Sequence, residues 1–374
     1  MQQVGIKVAA PYFPDAQEVL EDIGRVLESG HLMNGPFSDQ FEQEICQKWG
    51  VKEAVTLNSC TTAIQIALSY FGIRNKRVLV STNTYVAAGN AILYAGGKPV
   101  FCDLAPGGLS PGAKEFEARI TRDTVGLIFT HVAGIIDPKY LEVKAWCNRK
   151  GIFLIEDCAH AHGARILDYF VGTRSHAGCF SFYPTKIITT GTGGLLTTND
   201  SGLAEYARSL RFHGKAERPY EYDKAGNDWF MNEILAVLGV HQLRKLEQFI
   251  ERRRQLANFY RTYMQSLRRI TFFTEGEGKS VYYKLPVLLD TAEALNHLRK
   301  YWDTQYGLEC EPLYYPPCHM QPVFANNPDI DQFQCTEAER ILPRQFCLPI
   351  HLRLTDDEAM EVVKSLERFF NLDN

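Results

Sequence analysis

Four short stretches of this 374-residue chain place polar side chains just where apolar runs end. In CFSFYPTKIITTGTGG (179–194), Lys186 is the single cation, with Ser181 and Tyr183 shortly before it. An amine there is either a solvated surface charge or a nucleophile presented to a carbonyl. In the second case the Ser181 hydroxyl is placed to serve a phosphate. Asp157 ends the apolar run IFLIED (152–157). A carboxylate at the end of a buried strand needs a partner, and a structural cation or a protonated heterocyclic nitrogen would serve equally. SCTTA (59–63) follows another apolar run. Small residues at the start of a helix leave backbone N–H groups free, which suits a phosphate, although Ser and Thr are also ordinary N-caps there. Tyr85 opens the next helical pattern and either packs in the core or covers a flat ring. The GTGG run (191–194) has neither P-loop nor dinucleotide-fingerprint spacing, so it reads as a turn that gives the lysine segment room.

Together these groups describe one ligand, a phosphorylated flat pyridine aldehyde. Its phosphate would sit at the helix N-terminus, an acid would hold the ring nitrogen, an aromatic would cover the ring, and the lysine would form an imine with the aldehyde.

The elements that must position them follow from periodicity. Short apolar runs at 54–58, 77–82, 98–104, 125–132, 152–157, 178–183 and 193–199 read as strands, and helical patterns at 61–71, 85–95 and 138–150 separate several of them. Strands alternating with helices of ten or more residues predict an α/β fold with a mostly parallel central sheet flanked by helices. Ligands then gather beyond the carboxyl ends of the strands. From about residue 229 the texture becomes a long amphipathic helix or helix pair, in which ERRRQ (251–255) reads as a solvated face. A smaller α+β domain follows. We expect a large domain over 1–245 and a small C-terminal domain over 246–374.

Composition narrows the function class. With 40 basic and 44 acidic residues and a net charge of −4, the chain gives no support for a nucleic-acid footprint. No apolar run reaches the roughly 18 residues of a membrane span, and the N-terminal stretch has no long apolar leader core. The ten cysteines are scattered without a CxxC pair. They read as reduced, mostly buried thiols of a cytoplasmic protein rather than as disulfides or a zinc site.

With these residues in place, the chain resembles the DegT/DnrJ/StrS family of pyridoxal-phosphate-dependent sugar aminotransferases, a branch of the fold-type I aminotransferases. The markers run in order along nearly the whole chain: SGHLMNGPFSDQFEQEI (29–45), NSCTTAIQIAL (58–68), NTYVAAGNAILYAGGKPVFCDL (83–104), HVAGIIDP (131–138), LIEDCAHAHGA (154–164), FSFYPTKIITTGTGGLLTTND (180–200) and YYPPCHMQPVF (314–324). The resemblance makes Lys186 the lysine that carries pyridoxal 5'-phosphate, Asp157 the partner of its ring nitrogen and Tyr85 the stacking aromatic. It assigns Ser181 to the phosphate, with Cys60 and Thr61 at the backbone cradle. His160 falls where relatives usually have a glutamine near the ring hydroxyl, and its titration would then enter the pH profile. His319 and Tyr183 match substrate-side residues, with surface and packing roles as alternatives.

One departure stands at AGNDWFMNEI (225–234), where relatives place an asparagine and an arginine at the positions of Asp228 and Phe230. In the family this loop reaches the neighbouring subunit's phosphate, a contact that Asn227 would take over by a local shift or that would be lost. The resemblance implies a homodimer with sites at the interface. It implies amino transfer from an amino acid, glutamate foremost, to a keto sugar, most simply a nucleotide-linked one. A cyclitol ketone is the alternative acceptor. A sugar dehydratase would carry histidine in place of Lys186, and a non-catalytic relative would not need the lysine, the acid and the tyrosine together.

Overall fold

The computed structural model describes residues 6–372; the first five residues of the N-terminal stretch lie outside it. The seven expected strands form one sheet. They are β1 (Glu53–Leu57), β2 (Arg77–Ser81), β3 (Lys98–Cys102), β4 (Thr124–Thr130), β5 (Phe153–Asp157), β8 (Ala177–Ser181) and β9 (Gly194–Thr198). A small hairpin of β6 (Arg165–Ile166) and β7 (Tyr169–Phe170) intervenes. The order across the sheet is β1-β9-β8-β5-β4-β2-β3. Strand β9 runs antiparallel to both neighbours, and the other pairings are parallel. The connection between β8 and β9 is a loop rather than a crossover helix, and that loop lets β9 reverse direction.

Both faces of the sheet are covered, and side chains alternate between them along each strand. On β2, Val78 and Val80 enter the core beneath the helices Cys60–Tyr70, Val86–Tyr94 and Ser201–Leu210, while Leu79 enters the core beneath Pro36–Trp49 and Tyr140–Lys150. Near-continuous apolar runs are what such doubly covered strands require.

The reversal of β9 organises the site. Its first residue, Gly194, pairs with Leu57 at the end of β1 and with Ser181 at the end of β8. Both ends of the 179–194 stretch and the start of 59–63 are thereby drawn to one point of the sheet edge. Asp157 ends β5 at the same edge.

Beyond the sheet, the expected helix or helix pair is one unbroken helix, Glu233–Tyr263, which runs through the expected 245/246 boundary. Its residues up to Ile250 pack in the large core, and from Leu256 onward they pack in the small one. The small core is built on an antiparallel sheet of β10 (Ile270–Phe272), β11 (Leu285–Leu289) and β12 (Gln345–Leu348), covered by Ala292–Tyr306 and Asp356–Leu372.

The solvated-face reading of ERRRQ fails at Arg253. That residue is 2% exposed, and its guanidinium donates to the carbonyls of Tyr282, Tyr283 and Ile350 at 2.9–3.2 Å. Carbonyls at a strand entrance need donors, and the junction between the two cores supplies an arginine where a periodic pattern suggests only a charge. All ten cysteines are free thiols, and Cys46 alone is partly exposed.

Candidate active site

A cleft of about 400 Å³ opens at the sheet edge. Ser59, Cys60, Thr61, Tyr85, Asp157, His160, Ser181, Tyr183 and Lys186 all line it. The small domain closes the other side with Tyr283, Lys284, Leu313 and Tyr314.

Lys186 sits in the β8–β9 loop, where its N–H donates to the Tyr183 carbonyl at 2.9 Å. The loop folds back on itself, since the Phe182 carbonyl accepts from Thr190 N–H and from the Thr189 hydroxyl at 3.0 and 2.9 Å. The lysine amine lies 4.6 Å from the centroid of the Tyr283 ring, and the Tyr283 hydroxyl is bonded to Thr185 at 2.9 Å. Burial pushes the Lys186 pKa down to about 8, against the opposing pull of Asp157. An amine so placed is neutral in a sizeable fraction at ordinary pH.

Asp157 is buried at the end of β5. Its Oδ1 accepts from Ala159 N–H at 3.0 Å, and the Cys60 thiol lies 3.8 Å from the same oxygen. Burial raises the Asp157 pKa although that N–H and Lys186 both favour the anion. Behind it, Glu156 is bonded to His131 at 2.7 Å and to Gly172 N–H at 3.0 Å. Burial alone would raise the Glu156 pKa, but His131, Ser175 and the Gly172 N–H together bring it below the usual value.

The helix Cys60–Tyr70 begins at the cleft with Ser59 as its N-cap, the Ser59 hydroxyl accepting from Thr62 N–H at 3.1 Å. The Ser59 carbonyl takes Ala63 N–H. Of the N–H groups that a helix start leaves over, that of Thr62 is capped, and those of Cys60 and Thr61, with no hydrogen-bond partner among the described residues, remain for a ligand. Gly194 explains how this helix start can lie on the strand. A Cβ there would meet the Ser59 carbonyl carbon at 2.1 Å and the Cys60 nitrogen at 2.6 Å. The glycine therefore does more than shape a turn, because it admits the cradle's backbone.

Tyr85 is not a core aromatic: it is 60% exposed at the mouth of the cleft, 6.2 Å from the Tyr314 ring. Tyr183 is exposed on the rim.

His160 corrects an expectation. Its Nδ1 accepts from Ala133 N–H at 3.1 Å, which leaves Nε2 to donate to the Tyr314 hydroxyl at 2.9 Å. The ring stacks on Tyr283 at 4.2 Å. Burial, with help from the charges of Lys186 and Lys284, pushes its pKa well below the usual 6.5. His160 is thus a neutral wall residue with both nitrogens engaged, and its titration does not enter the working pH range.

Three expected positions stand apart from the cleft. His319 is held between the Thr82 hydroxyl at 2.6 Å and Glu339 at 3.2 Å. Asn227 turns its side-chain oxygen to the Asp228 N–H at 2.8 Å, and both residues are exposed. Phe230 packs on Phe212 and on the guanidinium of Arg211. The same loop still touches the cradle, because the Trp229 carbonyl accepts from Asn58 N–H at 2.9 Å.

The small-domain wall was the part missed. Its signals were a lysine interrupting the apolar run SVYYKLPVLLD (280–290) and the paired tyrosines of YYPPC (314–318).

Comparison with known proteins agrees with this geometry. The DegT/DnrJ/EryC1/StrS aminotransferase family model matches residues 14–367. The chain is 31% identical to GDP-perosamine synthase of Escherichia coli O157:H7, over 94% of this chain and 95% of the relative. It is 29% identical to UDP-N-acetyl-3-dehydro-alpha-D-glucosamine 3-aminotransferase of Acidithiobacillus ferrooxidans, over 97% and 96%. Among solved structures, the aminotransferase TlmJ from Streptoalloteichus hindustanus superposes with a TM-score of 0.90 at 26% identity, covering 98% of this chain and 99% of that one. Matched over residues 14–367 in sequence and over 98% of its length in fold, the chain belongs to the DegT/DnrJ/EryC1/StrS aminotransferase family.

Proposed function

We propose that this enzyme uses pyridoxal 5'-phosphate to move an amino group from an amino acid, with glutamate the leading donor, to the keto group of a nucleotide-linked sugar. The observation that carries the reading is Lys186, an amine with its pKa lowered to about 8 in a cleft it shares with the buried carboxyl of Asp157.

The residues present fit that cofactor. The N–H groups of Cys60 and Thr61 with the Ser181 hydroxyl would hold its phosphate, Asp157 would hold its ring nitrogen, and Tyr85 would cover the ring. When bound, the cofactor supplies an aldehyde for an amine to join and a ring that takes up the electron pair left by a departing proton. Lys186 then serves as the base that removes and returns the proton at the carbon bearing nitrogen. Asp157 would keep the ring nitrogen of the bound cofactor protonated. His160 orders the wall by fixing Tyr314 and stacking on Tyr283.

Support for a nucleotide-linked acceptor comes from what the relatives are named for. A cavity of about 330 Å³ that shares Tyr85 and Tyr314 with the cleft also leaves room beyond the reacting end. The working form proposed is a cytoplasmic homodimer. Asn227 and Asp228 are exposed and do not line their own cleft, and Tyr220 and Tyr222 beside them are exposed. Asn227 rather than Asp228 would then meet a neighbouring phosphate, because an acid there is repelled.

Incubation with glutamate and a panel of UDP-, GDP- and dTDP-linked keto sugars, read by mass spectrometry, tests the proposal. A product with amine in place of a ketone oxygen is expected from one of them. Amination of a cyclitol ketone alone would replace the nucleotide-sugar reading.

A further inference from the structure

The cleft wall carries a second lysine to which the mechanism gives no task. Lys284 immediately precedes β11, its N–H donating to the Ala133 carbonyl at 3.3 Å, and its half-buried side chain lines the cleft with Lys186. Among the described residues no hydrogen bond or ion pair engages its ammonium. Glu311, which together with Lys284 acts on the buried Cys347, makes no ion pair with it. Asp157 is the only carboxylate among the lining residues, and it faces Lys186, so the cleft holds two lysines against one acid. Lys284, Lys186 and His160 line the same cleft, and the positive charge of Lys284 disfavours the charged forms of the other two.

A cation on a fully wet surface needs no partner. One set into the wall of a cleft has lost part of its hydration, and a charge-assisted hydrogen bond to an arriving anion compensates that loss. We propose that Lys284 is the anion-binding residue of this cleft, receiving the carboxylate of the amino-acid donor or the diphosphate of the nucleotide-linked acceptor. The proposal rests on the aminotransferase reading, which makes both partners anionic and brings them to the same cleft in turn. The donor carboxylate is the closer fit, because it is attached directly to the carbon that must meet Lys186. The diphosphate is separated from its ketone by a sugar ring.

The test uses full-length protein loaded with pyridoxal phosphate, as wild type, Lys284→Met and Lys284→Arg. Calorimetric titration with maleate, an unreactive dicarboxylate, and with UDP, GDP and dTDP separates the two sources. Loss of one charge-assisted hydrogen bond weakens binding about tenfold to a hundredfold. Lys284→Met should lose that much for at least one probe while keeping its cofactor content and thermal midpoint, and Lys284→Arg should stay near wild type. Loss for maleate alone assigns Lys284 to the donor, loss for a nucleotide alone assigns it to the acceptor, and loss for both assigns it to each in turn. Unchanged binding in Lys284→Met, or a wild type that binds no probe, overturns the proposal. Failure of the underlying reading is seen beforehand and separately, as a wild type whose visible absorbance does not respond to amino acids.

Discussion

Gly194→Ala asks whether the ligand cradle depends on one strand lying directly against a helix start. The new Cβ would fall 2.1 Å from the Ser59 carbonyl carbon, 2.2 Å from its oxygen and 2.6 Å from the Cys60 nitrogen. Ordinary contacts lie near 3.4–4 Å, so the Ser59–Cys60 backbone must move by more than about 1 Å. No flexible side chain is available to yield in its place, since all three atoms are backbone. Overpacking of this kind costs about 1–3 kcal/mol of stability. The displaced atoms include the Cys60 N–H itself. A hydrogen bond to a charged group contributes about 1.5–3 kcal/mol, so cofactor affinity should fall at least tenfold. The comparison variant is Gly191→Ala. That site is open space but has φ +85°, so it suffers backbone strain without touching the cradle. Equilibrium dialysis of pyridoxal phosphate and urea unfolding, run on both variants, give the answer. Gly194→Ala should lose affinity and stability together, and Gly191→Ala should lose about 1–2 kcal/mol of stability with affinity kept. Normal affinity in Gly194→Ala would refute the cradle.

Two further predictions concern the lysine and the wall behind it. Capture of pyridoxal phosphate requires the neutral amine, so its rate in the cofactor-free protein should rise with pH and level off above about 8. At pH 7.5 a pKa of about 8 leaves roughly a quarter of Lys186 neutral, against about 0.1% for an unperturbed lysine. Stopped-flow absorbance would show this, and a rate still climbing at pH 10 would mean that burial does not set the amine's proton affinity. Arg253→Met should destabilise the fold by roughly 3 kcal/mol, because up to three buried carbonyls lose their donor. Urea unfolding checks it, and an unchanged midpoint would mean that relief of the buried charge offsets those lost bonds.

The large domain was legible because doubly covered strands advertise themselves as continuous apolar runs, and its cleft-lining residues sit where those runs stop. That rule alone places Asp157, Ser181 and Cys60. The rule does not reach residues whose position is set by another domain. Tyr283, Lys284 and Tyr314 arrive at the cleft only because the helix Glu233–Tyr263 carries the chain from one core to the other. Arg253 looked solvated because a helical repeat gives the side of a helix but not what lies against it. His160 was expected to titrate because its type suggests it. Its burial, which comes from packing against Tyr283 and Tyr314, cannot be read from its neighbours in the chain. His319 has the reverse history: a motif suggested substrate, and the fold gives it Thr82 and Glu339.

The central claim is that Lys186 holds a pyridine aldehyde and exchanges its nitrogen with an amino acid. Visible absorbance of the purified protein with pyridoxal phosphate tests this most directly, in wild type and in Lys186→Ala. The wild type should be yellow, should bleach when glutamate is added, and should regain its colour with 2-oxoglutarate. Lys186→Ala should fold normally and show no such exchange. A wild type that stays colourless with added cofactor, or a Lys186→Ala variant that still cycles through both states, would contradict the account.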